Sequence, residues 1–137
     1  MICVRLRDVA GRAKHVGQDA SASARQLAVV VGWASYFHDR VTRGGFEELI
    51  HDLPEAELAE VDVMLRMVAA PVALSYYRRA VAHCGADRAD YERFKADRTA
   101  PTETCKNLMM ISVEYLANGV AFDEEIAAWL TKVARLL

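Results

Sequence analysis

The chain has 137 residues, of which 53% are hydrophobic and only three are prolines, and its formal net charge is −2. This composition predicts a compact globular protein and excludes an intrinsically disordered chain. No apolar run reaches the roughly 18 residues of a membrane span, and charges interrupt the N-terminus where a secretory signal needs an apolar stretch, so we expect a cytoplasmic protein.

A long helix is the first element that the pattern predicts. From Ser21 to Thr42 the apolar residues recur every three or four positions, which indicates one buried helix face. Gly44 and Gly45 are expected to end this helix, because glycine readily adopts the left-handed conformation of a helix C-cap. Phe46 then begins a short helix of one to two turns.

Prolines and acidic residues mark the starts of the later helices. Pro54 and Pro71 are expected in first turns, where proline loses no hydrogen bond. Three more helices follow, and they are predicted to begin at Asp87 or Asp90, at about Thr102 and at Asp123.

The predicted fold class is all-α, a single compact domain of six to seven helices, because no stretch beyond the N-terminus alternates apolar and polar residues. Residues 1–20 form an N-terminal segment of uncertain structure, and the helical domain occupies residues 21–137. The cysteines are unclustered, which predicts reduced thiols and no structural zinc site. They are Cys3, Cys84 and Cys105.

Acidic residues are concentrated in the centre of the chain. Seven carboxylates lie between Gly44 and Leu65, and this stretch contains no Lys or Arg. Helix capping explains the early Glu55 and Glu57, but it does not explain the missing cations. Such segregation predicts an anionic surface that selects a partner. The candidate partner-binding residues are Glu47, Glu48, Asp52, Glu55, Glu57, Glu60 and Asp62.

Two motifs carry a resemblance to a known family. They are Tyr36-x-x-Asp39-x-Val41-x-x-Gly44-Gly45-Phe46-Glu47-Glu48-Leu49-Ile50 and Met67-Val68-Ala69-Ala70-Pro71-x-Ala73-x-x-Tyr76-x-x-Ala80. Over about residues 32–82 the chain resembles the bacterial DNA-mimic protein family, whose hallmark is an Asn-Gly-Gly-Phe-Glu-Gln-Phe-Phe-like motif followed by an Ile-Gly-Ala-like helix start. Arg43, Glu48 and the pair His51-Asp52 depart from that pattern.

The resemblance implies an all-α domain, often a homodimer, whose best-described member presents carboxylates spaced like DNA phosphates to the DNA-binding face of a protein. Duplex DNA carries one charge per roughly 1.7 Å of its axis, so seven carboxylates can imitate only a short piece of it. Gly44, Gly45 and Phe46 form the structural motif that carries over.

We therefore predict a non-enzymatic protein-binding module, either a regulator or a phage-type inhibitor. Its acidic hairpin, residues 46–62, would engage a basic surface of a partner protein, such as a surface that otherwise binds nucleic acid. A homodimer is possible, and neither a cofactor nor a membrane is expected. Direct binding of nucleic acid is not expected either, because carboxylates are interleaved with the cations of residues 66–100.

The alternative is a helical metal-dependent phosphohydrolase that uses His38-Asp39. Enzymes of that kind hold a divalent metal with imidazoles and carboxylates and activate water for attack on phosphorus. The residues that would follow this order are His15, His38, Asp39 and either Asp90 or Asp97. No phosphate loop, nucleophile elbow or dinucleotide fingerprint accompanies them.

Overall fold

The computed structural model describes residues 5–137, and this part of the chain contains helices and no strand. The predicted all-α fold class is confirmed. Within the described residues there are eight α-helices and one 3-10 turn, Glu55–Glu57. The helices are α1 (Leu6–Ala13), α2 (Ala22–Asp52), α3 (Leu58–Met67), α4 (Pro71–Ala86), α5 (Arg88–Ala96), α6 (Glu103–Ala117), α7 (Phe122–Glu125) and α8 (Ala127–Ala134).

Two elements differ from the sequence prediction and raise the helix count above seven. Helix α1 forms inside the segment of residues 1–20, because Leu6 and Val9 are one turn apart and both are buried. The predicted last helix is divided at Ile126, which has φ −98° and ψ 9°. The prediction that Asp123 caps this helix is wrong, since the residue at the N-cap of α7 is Ala121 and it makes no side-chain capping bond.

Helix α2 is the centre of the fold and packs against α1, α3 and α6. The side chains of Phe37, Phe46 and Leu49 on this helix are 0% exposed. Helices α4 and α6 run in opposite directions. Tyr76, near the start of α4, contacts Tyr115, near the end of α6, and Asp90, just beyond the end of α4, contacts the start of α6. The core therefore lies between α2 on one side and the α4–α6 pair on the other.

Several predicted helix starts are confirmed. The Asp87 carboxylate accepts the Asp90 backbone N–H at 3.2 Å, and the Thr102 hydroxyl accepts the Cys105 N–H at 3.1 Å. Pro71 occupies the first turn of α4. Pro54 precedes the 3-10 turn, so regular α-helix begins only at Leu58.

Helices α4 and α6 also receive carboxylates from distant parts of the chain. The two oxygens of Glu125 accept the N–H groups of Val72 and Ala73 at 2.5 and 3.1 Å. Asp90 accepts the N–H groups of Glu103 and Thr104 at 3.1 and 2.6 Å. A carboxylate at a helix N-terminus satisfies free N–H donors and interacts favourably with the helix dipole.

None of the helices in residues 5–137 combines the length and the apolar character needed to cross a bilayer. Cys84 and Cys105 are free thiols, as expected from their spacing. Cys3 lies outside the described residues.

Candidate functional site

The double glycine produces a kink at which two helical runs of α2 meet. Gly45 has φ 72° and ψ −172°, and helical geometry resumes at Phe46 and continues to Asp52. The prediction that the glycines end one helical run and that Phe46 begins another is therefore confirmed in the backbone geometry, and the two runs, which meet at a kink, are named together as α2. The positive φ that was expected at a glycine is present at Gly45, in a region of backbone space that is essentially restricted to glycine.

Directly after the kink, the N–H of Phe46 is bound by a side chain of helix α6. The Phe46 N–H donates to the Ser112 hydroxyl oxygen at 2.8 Å, and both residues are buried. The Ser112 hydroxyl oxygen lies 2.9 Å from the Leu108 carbonyl and 3.2 Å from a carboxylate oxygen of Glu47. With a single proton, this hydroxyl donates to one of these acceptors at a time.

Glu47 belongs to this buried network and not to an open surface. Its carboxylate folds back over Gly45, so that a Cβ placed on Gly45 would lie 1.8 Å from one of its oxygens. Burial raises the pKa of Glu47 above the ordinary 4.5, although hydrogen bonds from its own backbone and from Ser112 act in the opposite direction. The Gly-Gly-Phe-Glu motif is thus a structural device that joins α2 to α6.

We expect Glu47→Gln to stabilise the protein near neutral pH. Because the folded state raises the pKa of Glu47, this group contributes stability below its unfolded pKa of about 4.3, and that contribution is lost as the pH rises through the folded pKa. Glutamine does not ionise, so the Glu47→Gln variant does not lose this contribution as the pH rises. The difference in melting temperature between variant and wild type should therefore be largest near pH 7 and vanish near about pH 4.

Glu60→Gln is the matched control for this pH series, because it removes one carboxylate from an exposed position. A stability difference for Glu47→Gln that is independent of pH, or that grows on acidification, would contradict a half-buried ionised carboxylate at this position.

Two more of the candidate acids pair with arginines of their own helix. Glu48 lies 3.3 Å from the Arg43 Nε, and its side chain is mostly buried. Asp52 pairs with the Arg40 guanidinium and lies 3.1 Å from the Nδ1 of His51. These pairs span the two sides of the kink, so the acids help to hold the two parts of α2 together.

Glu55 pairs with an arginine of α5, and Asp62 pairs with one arginine of α4 and one of its own helix, α3. Arg88 donates to both carboxylate oxygens of Glu55, at 2.6 and 2.9 Å. Asp62 accepts from Arg78 at 2.9 Å and from Arg66 at 3.1 Å. These hydrogen bonds, chiefly from Arg88 and from Arg78, lower the pKa of the two carboxyl groups. The cations that are missing from residues 44–65 in the sequence are thus supplied by the fold.

A lysine from α5 holds the end of α2, where the chain turns between Asp52 and Glu55. Lys95 donates to the carbonyl oxygens of Ile50, His51 and Leu53 at 2.9, 2.7 and 2.6 Å. Partial burial lowers the pKa of this ammonium group. A cation at the carbonyl end of α2 satisfies acceptors that have no partner in the helix.

Three of the candidate acids make no ion pair within residues 5–137, namely Glu47, Glu57 and Glu60. Glu47 instead accepts a hydrogen bond from Ser112, which leaves Glu57 and Glu60 as the two without a side-chain partner. Glu60 is exposed, and Glu57 is half-buried beside a groove of about 410 Å³. Of the predicted acidic surface, the part without cationic partners is therefore the edge of the hairpin that carries Glu57 and Glu60. Its groove is lined by Val29, Gly32, Trp33, Tyr36, Asp52, Pro54 and Glu57.

Trp33 and Tyr36 line this groove, and the sequence analysis did not include them among the partner-binding residues because aromatic residues at helical spacing indicate core or dimer contacts. Val29, Trp33 and Tyr36 recur at helical spacing on a face of α2 that is separate from its fully buried face. The rings of Trp33 and Tyr36 meet edge to face with their centres 5.9 Å apart. The sequence signal for this groove was therefore a second apolar stripe on α2, followed in the chain by a cluster of acidic residues.

The alternative metal site does not form in the described part of the chain. Residues 5–137 contain no group of three His, Cys, Asp or Glu side chains placed to hold a metal ion. The ring of His38 stacks on Phe122 with centres 6.0 Å apart, and Asp90 caps α6. The predicted order of His15, His38, Asp39 and Asp90 or Asp97 is therefore not assembled as one ligand set.

Helix α6 presents an apolar outward face. Its four large exposed side chains are between 53% and 69% exposed, and they are Met109, Met110, Val113 and Leu116. Contiguous exposed apolar residues are typical of interaction surfaces. A second copy of the chain is one occupant of such a face, and the homodimer stays a prediction.

No protein-family model, curated protein or solved structure matches this chain. The resemblance of residues 32–82 to the DNA-mimic family therefore stays a prediction from its two motifs.

Proposed function

We propose that the chain is a non-enzymatic protein-binding module whose acidic hairpin, residues 46–62, engages a basic surface of a partner protein. The observation that supports this proposal best is that Glu57 and Glu60 have no cationic partner within residues 5–137. Elsewhere in the hairpin the carboxylates are used to hold helices together. Two adjacent uncompensated charges on one edge favour a cationic partner.

The contacts that hold this edge in place also support the proposal. The part-buried Lys95 caps the end of α2 at the start of the turn, and the exposed Arg88–Glu55 and Asp62 pairs add weaker links from the turn and α3 to α5 and α4. A surface that is fixed before binding loses less conformational entropy when the complex forms. A partner that otherwise binds nucleic acid has the required basic surface, since such proteins pair Lys and Arg with phosphates.

The proposal predicts that reversing the charge of the two unpaired acids removes binding without unfolding the protein. We expect the double variant Glu57→Lys/Glu60→Lys to bind a short lysine- and arginine-containing peptide at least about tenfold more weakly than wild type, because attraction becomes repulsion. Wild-type binding should weaken steeply as salt rises. Isothermal titration calorimetry at two salt concentrations measures both effects, and circular dichroism checks the fold.

Asp19→Lys is the control for nonspecific electrostatics, because it reverses an exposed charge in the loop between α1 and α2. Equal losses per reversed charge in the control and in the hairpin variant would show that only net charge matters. That result, or binding that does not depend on salt, would overturn the proposed surface.

A further inference from the structure

We propose that the groove between Trp33 and Glu57 binds the guanidinium group of an arginine side chain from the partner protein. This inference rests on the proposed function and adds the residue type that the module recognises. The groove combines an aromatic wall, Trp33 and Tyr36, with a carboxylate, Glu57, that no cation of residues 5–137 neutralises.

The shape of the groove leaves room for an incoming side chain. Its volume is about 410 Å³, and it opens between α2 and the Pro54–Glu57 turn. Gly32 contributes no side chain to its floor, and a Cβ at that position would meet no atom within 4 Å. Trp33 is partly buried and lines the groove, and no cation of the described residues lies over its ring.

An arginine of the chain itself already makes this combination of contacts next to the groove, with an aromatic ring and a carboxylate. The guanidinium carbon of Arg40 lies 4.8 Å from the centre of the Tyr36 ring, and the same group pairs with Asp52. The partner's arginine would repeat this arrangement one turn earlier, stacking on Trp33 while donating to Glu57. Burial is the main cause of the raised pKa of Tyr36; Arg40 lowers this pKa, and Asp52 and Glu57 raise it, so the ring lies within reach of both carboxylates.

Arginine suits this arrangement better than lysine does. A guanidinium group is planar, stacks on aromatic rings and donates two parallel hydrogen bonds to a carboxylate, whereas an ammonium group is a compact and strongly hydrated charge. All three cation–π contacts in the described residues also come from arginines.

The test compares two peptides of equal length and charge, one carrying arginines and one carrying lysines in a Gly-Ser background. We expect the arginine peptide to bind about two- to fivefold more tightly, which is the contribution expected of a cation–π contact at an exposed site. In NMR spectra the indole N–H signal of Trp33 should shift on titration. The indole signal of Trp129, on α8, is an internal reference that should not move.

Variants at Trp33 separate stacking from charge. Trp33→Leu should bind both peptides equally, and Trp33→Tyr should restore the preference for arginine; thermal melts of both variants verify folding. If wild type binds the peptides equally and only charge reversal at Glu57 and Glu60 weakens binding, the arginine site is overturned while the proposed function stands. If charge reversal has no effect on either peptide, the proposed function fails as well.

Discussion

Replacing Phe46 by alanine is expected to cost about 3–5 kcal/mol of unfolding free energy, the range for deleting a fully buried aromatic side chain. The Phe46 ring is 0% exposed. Its centre lies 6.2 Å from that of Phe37 and 5.5 Å from that of Tyr115, so it joins the N-terminal part of α2 to α6. Urea denaturation followed by circular dichroism measures the loss.

Two comparisons make this result specific. Phe46→Leu keeps most of the apolar volume and should cost much less, about 1.5 kcal/mol or below. Met109→Ala removes a side chain that is 53% exposed and should change stability by less than about 0.5 kcal/mol. A Phe46→Ala variant as stable as Met109→Ala would mean that the motif's phenylalanine is a recognition residue and not part of the core.

Local features of the structure could be predicted from the sequence because their causes are local. The cap at Asp87 depends on an N–H three residues away, and the effect of Pro71 depends only on its own ring and missing donor. The buried face of α2 follows from the spacing of residues such as Val30, Ala34 and Phe37. Each of these patterns lies within one or two helical turns.

The charge pattern could not be predicted in the same way, because its partners come from distant positions. Glu55 is neutralised by Arg88, which is 33 residues later, and Asp62 by Arg78, which is 16 residues later. An acidic stretch of sequence therefore becomes a mixed-charge surface once the helices pack. Exposed pairs of this kind contribute little stability, about 0–1 kcal/mol each, but they remove most of the anionic field expected from the sequence.

The groove beside Trp33 could not be predicted from the sequence either, because its lining residues come from different elements. Trp33 and Tyr36 lie on α2, and Glu57 lies beyond the end of that helix in the 3-10 turn. Their proximity depends on how the chain reverses at Pro54, and the Lys95 contacts that hold this reversal come from α5. Aromatic residues at helical spacing indicate burial or an interface, and only the packed structure places them beside a free carboxylate.

The structural part of the motif gives the second large prediction, at Gly45. We expect Gly45→Val to destabilise the protein by about 2–4 kcal/mol, the sum of a strained backbone and a weakened buried hydrogen bond. Its φ of 72° with ψ −172° is unfavourable for any residue with a Cβ. That Cβ would also lie 2.6 Å from the Ser112 hydroxyl oxygen, which accepts the Phe46 N–H.

Gly32→Ala is the matched control within the same helix, and its effect should have the opposite sign. Gly32 is exposed, and a Cβ there meets nothing within 4 Å, so alanine should stabilise α2 by about 0.5–1 kcal/mol through its higher helix propensity. Urea denaturation of the two variants beside wild type gives both values. If both glycines respond alike, the kink at Gly45 is not a requirement of the fold. Opposite signs would establish that Gly45 is needed for its backbone conformation, which turns Phe46 towards Ser112 and joins α2 to α6.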